Sequence, residues 1–212
     1  MLAEDRFECV LMPCTDVHHA GFSLPPRPSH PERIRIVLIS ECAAAEPADN
    51  YYAGDDSLFA RTTVQAFRDA GADVRTIEDI LDLGVYLTTA IKCSKMAYGI
   101  RRDTVAECSR LLERELDQFP NVQAYLLMGD VAIQAANMIA RRHGLPRVIP
   151  RESTYKIRGG EFYFRGARAF PSYVQAGPSY FIEKSKREMI AADIAAALAV
   201  AAGPEGRRQH AG

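Results

Sequence analysis

Short apolar runs alternate with amphipathic stretches along this chain. RIRIVLIS (33–40) is continuous, rich in β-branched residues and bounded by polar ones, which reads as a strand buried on both faces. VYLTTAI (85–91) and AYLLMG (124–129) read the same way. Between them the apolar period lengthens. Leu58, Phe59, Val64 and Phe67 share one face of a helix over roughly 57–70, capped by Asp56 or Ser57 and stopped at Gly71. Val105, Leu111, Leu112 and Leu116 share another over 104–118, and a third helix, 131–142, runs from a cap at Asp130 to Gly144. VIP and TYKI (148–157) approach a fourth strand, and GEFYFRGARAFPSY (160–173) reads as a hairpin turning at Arg165-Gly166. An alanine-rich last helix is expected over 181–202.

Strands separated by helices at this spacing predict an α/β domain: a three-layer α/β/α sandwich around a short, mainly parallel, four-stranded sheet. The expected organisation is an arm over 1–33, one domain over 34–202 and a frayed tail over 203–212. In such sheets ligands sit beyond the carboxyl ends of the strands. The segments to watch are therefore Ser40–Tyr52, Thr88–Lys95, Gly129–Asp130 and Phe170–Gln175.

The 212 residues carry a formal net charge of −1, so any binding to a polyanion must rest on local patches. No apolar run approaches the length of a membrane span, and MLAEDRFECV lacks the basic-then-apolar order of a secretion signal. A soluble, cytoplasmic monomer is expected. There, five cysteines read as metal or cluster ligands, or as buried thiols, rather than as disulfides.

Four of them make a candidate set. Cys9 and Cys14 lie close together in the arm; Cys93 follows the second strand and Cys108 stands 15 residues further on. Four thiolates suit a [4Fe–4S] cluster or a tetrahedral zinc ion. Cys42 is left over, in the loop after the first strand. In that loop Glu41, Glu46 and Asp49 are acids that can activate a water, and Tyr51 and Tyr52 can stack on a flat ring. Lys92, Lys95 and Lys184 lie near strand ends or helix starts, where cations favour phosphate. In the last third Tyr163, Phe164, Tyr173, Tyr180 and Phe181 interleave with basic residues, a mixture suited to unpaired bases. Gly-rich phosphate loops and nucleophile elbows are absent, and His18 and His19 lack metal-ligand spacing.

The order of segments resembles the uracil-DNA glycosylase superfamily, most closely its iron–sulfur branch, from about Cys9 to the last helix. Leu87-Thr88-Thr89-Ala90-Ile91-Lys92-Cys93 is similar to that branch's Thr-Asn-x-x-Lys-Cys, and Cys108 fills its next cysteine. The first pair is C-x4-C here and C-x2-C there. Leu126–Ala132 is similar to the family's third strand and following helix. Ser40-Glu41-Cys42-Ala43-Ala44 stands where the family has Gly-Glu-x-Pro-Gly, so Glu41 alone is kept. The resemblance places Tyr51 at the base-stacking aromatic, Thr89 at an asparagine that reads the base edge, and Phe170-Pro171-Ser172 at His-Pro-Ser. It thus implies base contacts from Ser40, Cys42, Tyr51, Thr89 and Phe170. DNA-phosphate contacts fall to Lys92, Lys95, Ser172 and Lys184, and a [4Fe–4S] cluster to Cys9, Cys14, Cys93 and Cys108. The implied activity is hydrolysis of the N-glycosidic bond of a flipped-out uracil or other deaminated base in single- or double-stranded DNA. Because the oxyanion histidine and the asparagine are replaced, a non-cleaving nucleic-acid or nucleobase-binding module is the alternative.

Overall fold

A computed structural model describes residue 9 and residues 12–203. Residues 1–8, 10 and 11 of the expected arm and 204–212 of the expected tail lie outside the described residues. The sheet has six strands: β1 (Val17–His18), β2 (Ile36–Ala43), β3 (Val85–Lys95), β4 (Ala124–Met128), β5 (Phe162–Phe164) and β6 (Ala167–Ser172). Their spatial order is β1-β3-β2-β4-β6-β5. The inner four, β3, β2, β4 and β6, are parallel, while β1 and β5 are short antiparallel edges. The expected four-stranded sheet is thus the parallel core, and the two edges correct the strand count.

The core strands are apolar throughout because both faces are covered. Val37 and Ile39 of β2 point to one side, beneath α3 (Arg102–Leu116) and α4 (Asp130–Arg142). Ile36 and Leu38 point to the other, beneath α1 (Leu58–Asp69), α2 (Ile77–Asp82) and α6 (Lys184–Ala201). All four side chains are fully buried, each stabilising the fold by about 1.5–3 kcal/mol. Of the candidate caps for α1, Ser57 does the work: its hydroxyl accepts from the Ala60 amide at 3.2 Å.

Several expectations change. α2 was hidden in the polar stretch before β3, where a capping box between Thr76 and Asp79 starts it. TYKI is a short helix, α5 (Thr154–Ile157), and the fourth core strand is β6, with Leu126 opposite Phe170. The hairpin at Arg165-Gly166 forms as β5–β6, and Arg165 takes a positive φ of 51° to turn it.

The arm is sewn to β3. Val17 pairs with Lys95 and His18 with Ser94, and the Ser23 amide donates to the Lys92 carbonyl at 2.7 Å. Asp16 then caps α3 from outside, accepting from the Arg101 amide and the Thr104 hydroxyl. No helix among the described residues is long and apolar enough to cross a membrane.

Candidate functional site

The carboxyl ends of β2, β3, β4 and β6 open into one cleft of about 1070 Å³. Its floor is the Ser40–Ala45 stretch with Gly129 and Ser172; its rims carry Lys95, Tyr98, Tyr155 and Lys186. A register shift between Cys42 and Ala43 splays β2 from β3 at this point.

Glu41 lies on the floor of the cleft. Its Oε1 accepts from the Val131 amide at 3.3 Å, so it closes the amino end of α4 from a neighbouring strand. Asp130, the expected cap, makes no capping bond. The chain gives way to this carboxylate at Gly129, which sits at φ 98°, where a Cβ would lie 2.6 Å from Glu41 Oε1 and 2.5 Å from Val174. Asp49 also lines the cleft, and its Oδ1 accepts from the Leu58 amide at 3.3 Å, tying the loop to α1. Glu46 is exposed on the outer side of that loop and does not line the cleft.

The candidate base-contacting residues part company. Ser40 and Cys42 line the cleft, although both side chains are largely covered. Burial, with the nearby Glu41 charge, pushes the Cys42 thiol up to about 12, so it is a neutral thiol rather than a nucleophile. Tyr51 is not available for stacking. It is 3% exposed, its ring packs on Phe59 at 5.2 Å, and its hydroxyl accepts from Gln175 at 2.8 Å and bonds to Ser40. Desolvation pushes that hydroxyl up to about 12. Phe59 instead presents the ring to the cleft. Thr89 is buried, with its hydroxyl donating to the Ile91 carbonyl at 2.9 Å, and Phe170 is a core residue beneath α6.

The phosphate candidates divide likewise. Lys92 has no exposed surface; it donates to the Thr88 hydroxyl, the Thr89 carbonyl and Glu115 of α3. All three of its donors are spent, so it cannot reach DNA. Ser172 lines the cleft, but its hydroxyl donates to Asp193 at 2.6 Å, and Asp193 is also held by Arg158 at 2.8 Å. Lys184 is exposed outside the cleft, beside Glu188. Lys95 is exposed and on the rim.

Of the four candidate ligand thiols, Cys93 and Cys108 lie in one core cluster on the α3 side of the sheet, and the partly buried Cys14 packs against it. Burial raises the Cys93 thiol to about 12, and the charges of Cys108, Cys9 and Cys14 add to it. Burial likewise raises Cys108 to about 11, with contributions from Cys14 and Cys9, and raises Cys14, with a contribution from Cys9. Among the described residues, no group of three or more histidine, cysteine or acidic side chains stands at ready-made metal-binding distances. The donor chemistry fits a thiophilic metal, and binding would require the thiols to ionise and close in. His19, which spacing passed over, sits among them: one ring nitrogen lies 2.9 Å from the Cys14 carbonyl and the other 3.6 Å from Cys93 Sγ.

Comparison with known proteins bears on this arrangement. No family model matches the chain. A type-5 uracil-DNA glycosylase of Thermus thermophilus is 30% identical over 86 residues, which cover 41% of this chain and 36% of that protein. Over that stretch the chain is similar to a uracil-DNA glycosylase. The matched stretch spans about a third of that relative's length. A crystal structure of wild-type UNG from Nitratifractor salsuginis covers 80% of the chain and 75% of its own, at 11% identity and a TM-score of 0.36. Tyr173, expected among the aromatics of the last third, lines the cleft, and the cleft residues that motif matching missed include Phe59 and Tyr98. Phe59 was read as core from its helical spacing, and Tyr98 lies in a loop with no pattern at all.

Proposed function

We propose that this chain is a DNA glycosylase that hydrolyses the N-glycosidic bond of an extruded uracil or other deaminated base. The supporting observation is Glu41: a carboxylate fixed on the floor of an open cleft at the strand ends, in a chain similar to a uracil-DNA glycosylase. The base enters against Phe59. Glu41 orients a water and takes its proton as the water oxygen bonds to C1′. The bond from C1′ to the base nitrogen breaks, and the base leaves as an anion that solvent protonates. Asp49 positions the loop over the base rather than the water. In the same reading Cys9, Cys14, Cys93 and Cys108 hold a [4Fe–4S] cluster, with zinc as the alternative. When bound, the metal supplies covalent ties between the arm, β3 and α3.

The test is abasic-site formation in DNA containing uracil, hypoxanthine or xanthine. Wild-type protein is expected to leave abasic sites, and Glu41→Gln to slow them by about 10²-fold or more. No product from any of the three substrates defeats the enzyme reading. Iron and zinc analysis of the intact protein, with its visible absorbance, decides the metal.

One observation favours the second reading, a binding module without cleavage. Glu41, Asp49, Asp130, Glu152 and Glu183 line the cleft against Lys95, Lys186 and Arg187, and Arg187 is already held by Asp69. No histidine lines it among the described residues. Binding of base-modified DNA with no abasic product identifies that case.

A further inference from the structure

Tyr98 is 99% exposed, on a loop that follows β3 at the mouth of the cleft. Folding gains nothing from holding an aromatic ring in water there. Cations and a second ring lie nearby. Lys95 lies 5.9 Å from the Tyr98 ring centre. Tyr98 also acts electrostatically on Lys186, at the start of α6, and Lys186 lies 5.6 Å from the ring centre of Tyr173. The end of β3 with its following loop, the start of α6 and the segment after β6 thus contribute an alternating row of cation, ring, cation and ring, all four lining the opening. Lys186 carries a carboxylate partner, Glu183 at 2.6 Å, so Lys95 is the freer cation.

We propose that Lys95, Tyr98, Lys186 and Tyr173 form a track that takes unpaired, single-stranded DNA across the cleft mouth. This rests on DNA as the ligand of the cleft. Rings stack on bases of any identity, and the lysines meet the phosphates between them. Duplex binding draws chiefly on a broad basic surface, and the carboxylates around this cleft do not provide one. Bases already unstacked present their faces to exposed rings, so the strand preference follows from where the aromatics are.

The test uses intact protein and fluorescence anisotropy with a uracil-free oligothymidylate and a blunt duplex of equal length. The single strand is expected to bind more tightly. Tyr98→Ala is expected to weaken single-strand binding by roughly five- to hundred-fold, while Tyr98→Phe stays near wild type. Lys95→Ala is expected to lower the salt slope of single-strand binding by about 0.7. Circular dichroism checks the fold, which an almost fully exposed side chain does not support. Tyr98→Ala binding within two-fold of wild type, or a duplex that binds equally well, overturns the proposal. Because the probe contains no uracil, the outcome is separate from cleavage. A protein that binds through Tyr98 yet leaves no abasic sites keeps the track and loses the glycosylase reading. A protein that cleaves while Tyr98→Ala binds normally does the reverse.

Discussion

The two faces of the sheet bury polar groups beneath the same cleft in opposite ways. Under α3 lies a charged group: Lys92 against Glu115, with Tyr86 donating to Glu115 at 2.9 Å and Thr88 at 2.8 Å. Under α1 lies a neutral one: Gln175 joins the hydroxyls of Tyr51, Thr63 and Ser40. The charged group depends on having both partners, because either ion alone is stranded in a low-dielectric interior. The neutral group loses less when one member goes, since only hydrogen bonds are left unmade. Both groups show polar residues near strand ends serving as scaffold.

Four substitutions grade that contrast. Lys92→Met alone should destabilise by about 3–5 kcal/mol in urea unfolding, and adding Glu115→Leu should restore much of it. A loss under about 1 kcal/mol for the single change would show that the pair is not buried as described. Tyr51→Phe should cost about 1–3 kcal/mol, because Ser40 and Gln175 lose a shared partner. The same cost with Gln175→Leu already in place would deny the network.

Asp69→Asn comes next. Hydrogen bonding from Arg187, then Tyr180 and Gln65, offsets burial and holds Asp69 at about 2, below its ordinary 3.8. A depressed carboxylate stabilises the fold above its unfolded value, and that contribution is lost as pH falls through the folded one. With Arg187 about a third exposed, screening leaves about 1 kcal/mol. The gap between wild type and Asp69→Asn should therefore be full at neutral pH and close towards pH 2. A gap that stays constant on acidification removes the ion pair as its cause. Smallest of all, Lys95→Ala should change unfolding by no more than about 0.5 kcal/mol, against the large cost at Lys92 three residues earlier.

That last pair also marks how far the sequence could be read. The parallel core was legible because Ile36–Ile39, Leu87 and Leu126 are buried on both faces and leave an uninterrupted apolar signal. The gathering of Cys93 and Cys108 followed from their places after β3 and on α3. Lys92 and Lys95 looked alike, because the partner that buries the first, Glu115, is supplied by a helix whose position no local pattern reveals. Tyr51 and Phe59 were exchanged for a similar reason: the path of the loop from Ala44 to Ser57 decides which ring faces in. Glu41 was singled out, but not its bond to α4, which exists only once β2 and β4 lie side by side.

The antiparallel stitch between β1 and β3 reaches beyond architecture. It holds Cys14 near Cys93 and Cys108 through main-chain bonds and the Asp16 cap, none of which involves a metal. If the proposed metal binds, it can therefore arrive last, on a polypeptide that is already closed. For protein isolated with iron or zinc, chelation should strip the metal and leave the segment from Asp16 to Ser23 protected from proteases, so that loading and unloading would be events of maturation rather than of folding.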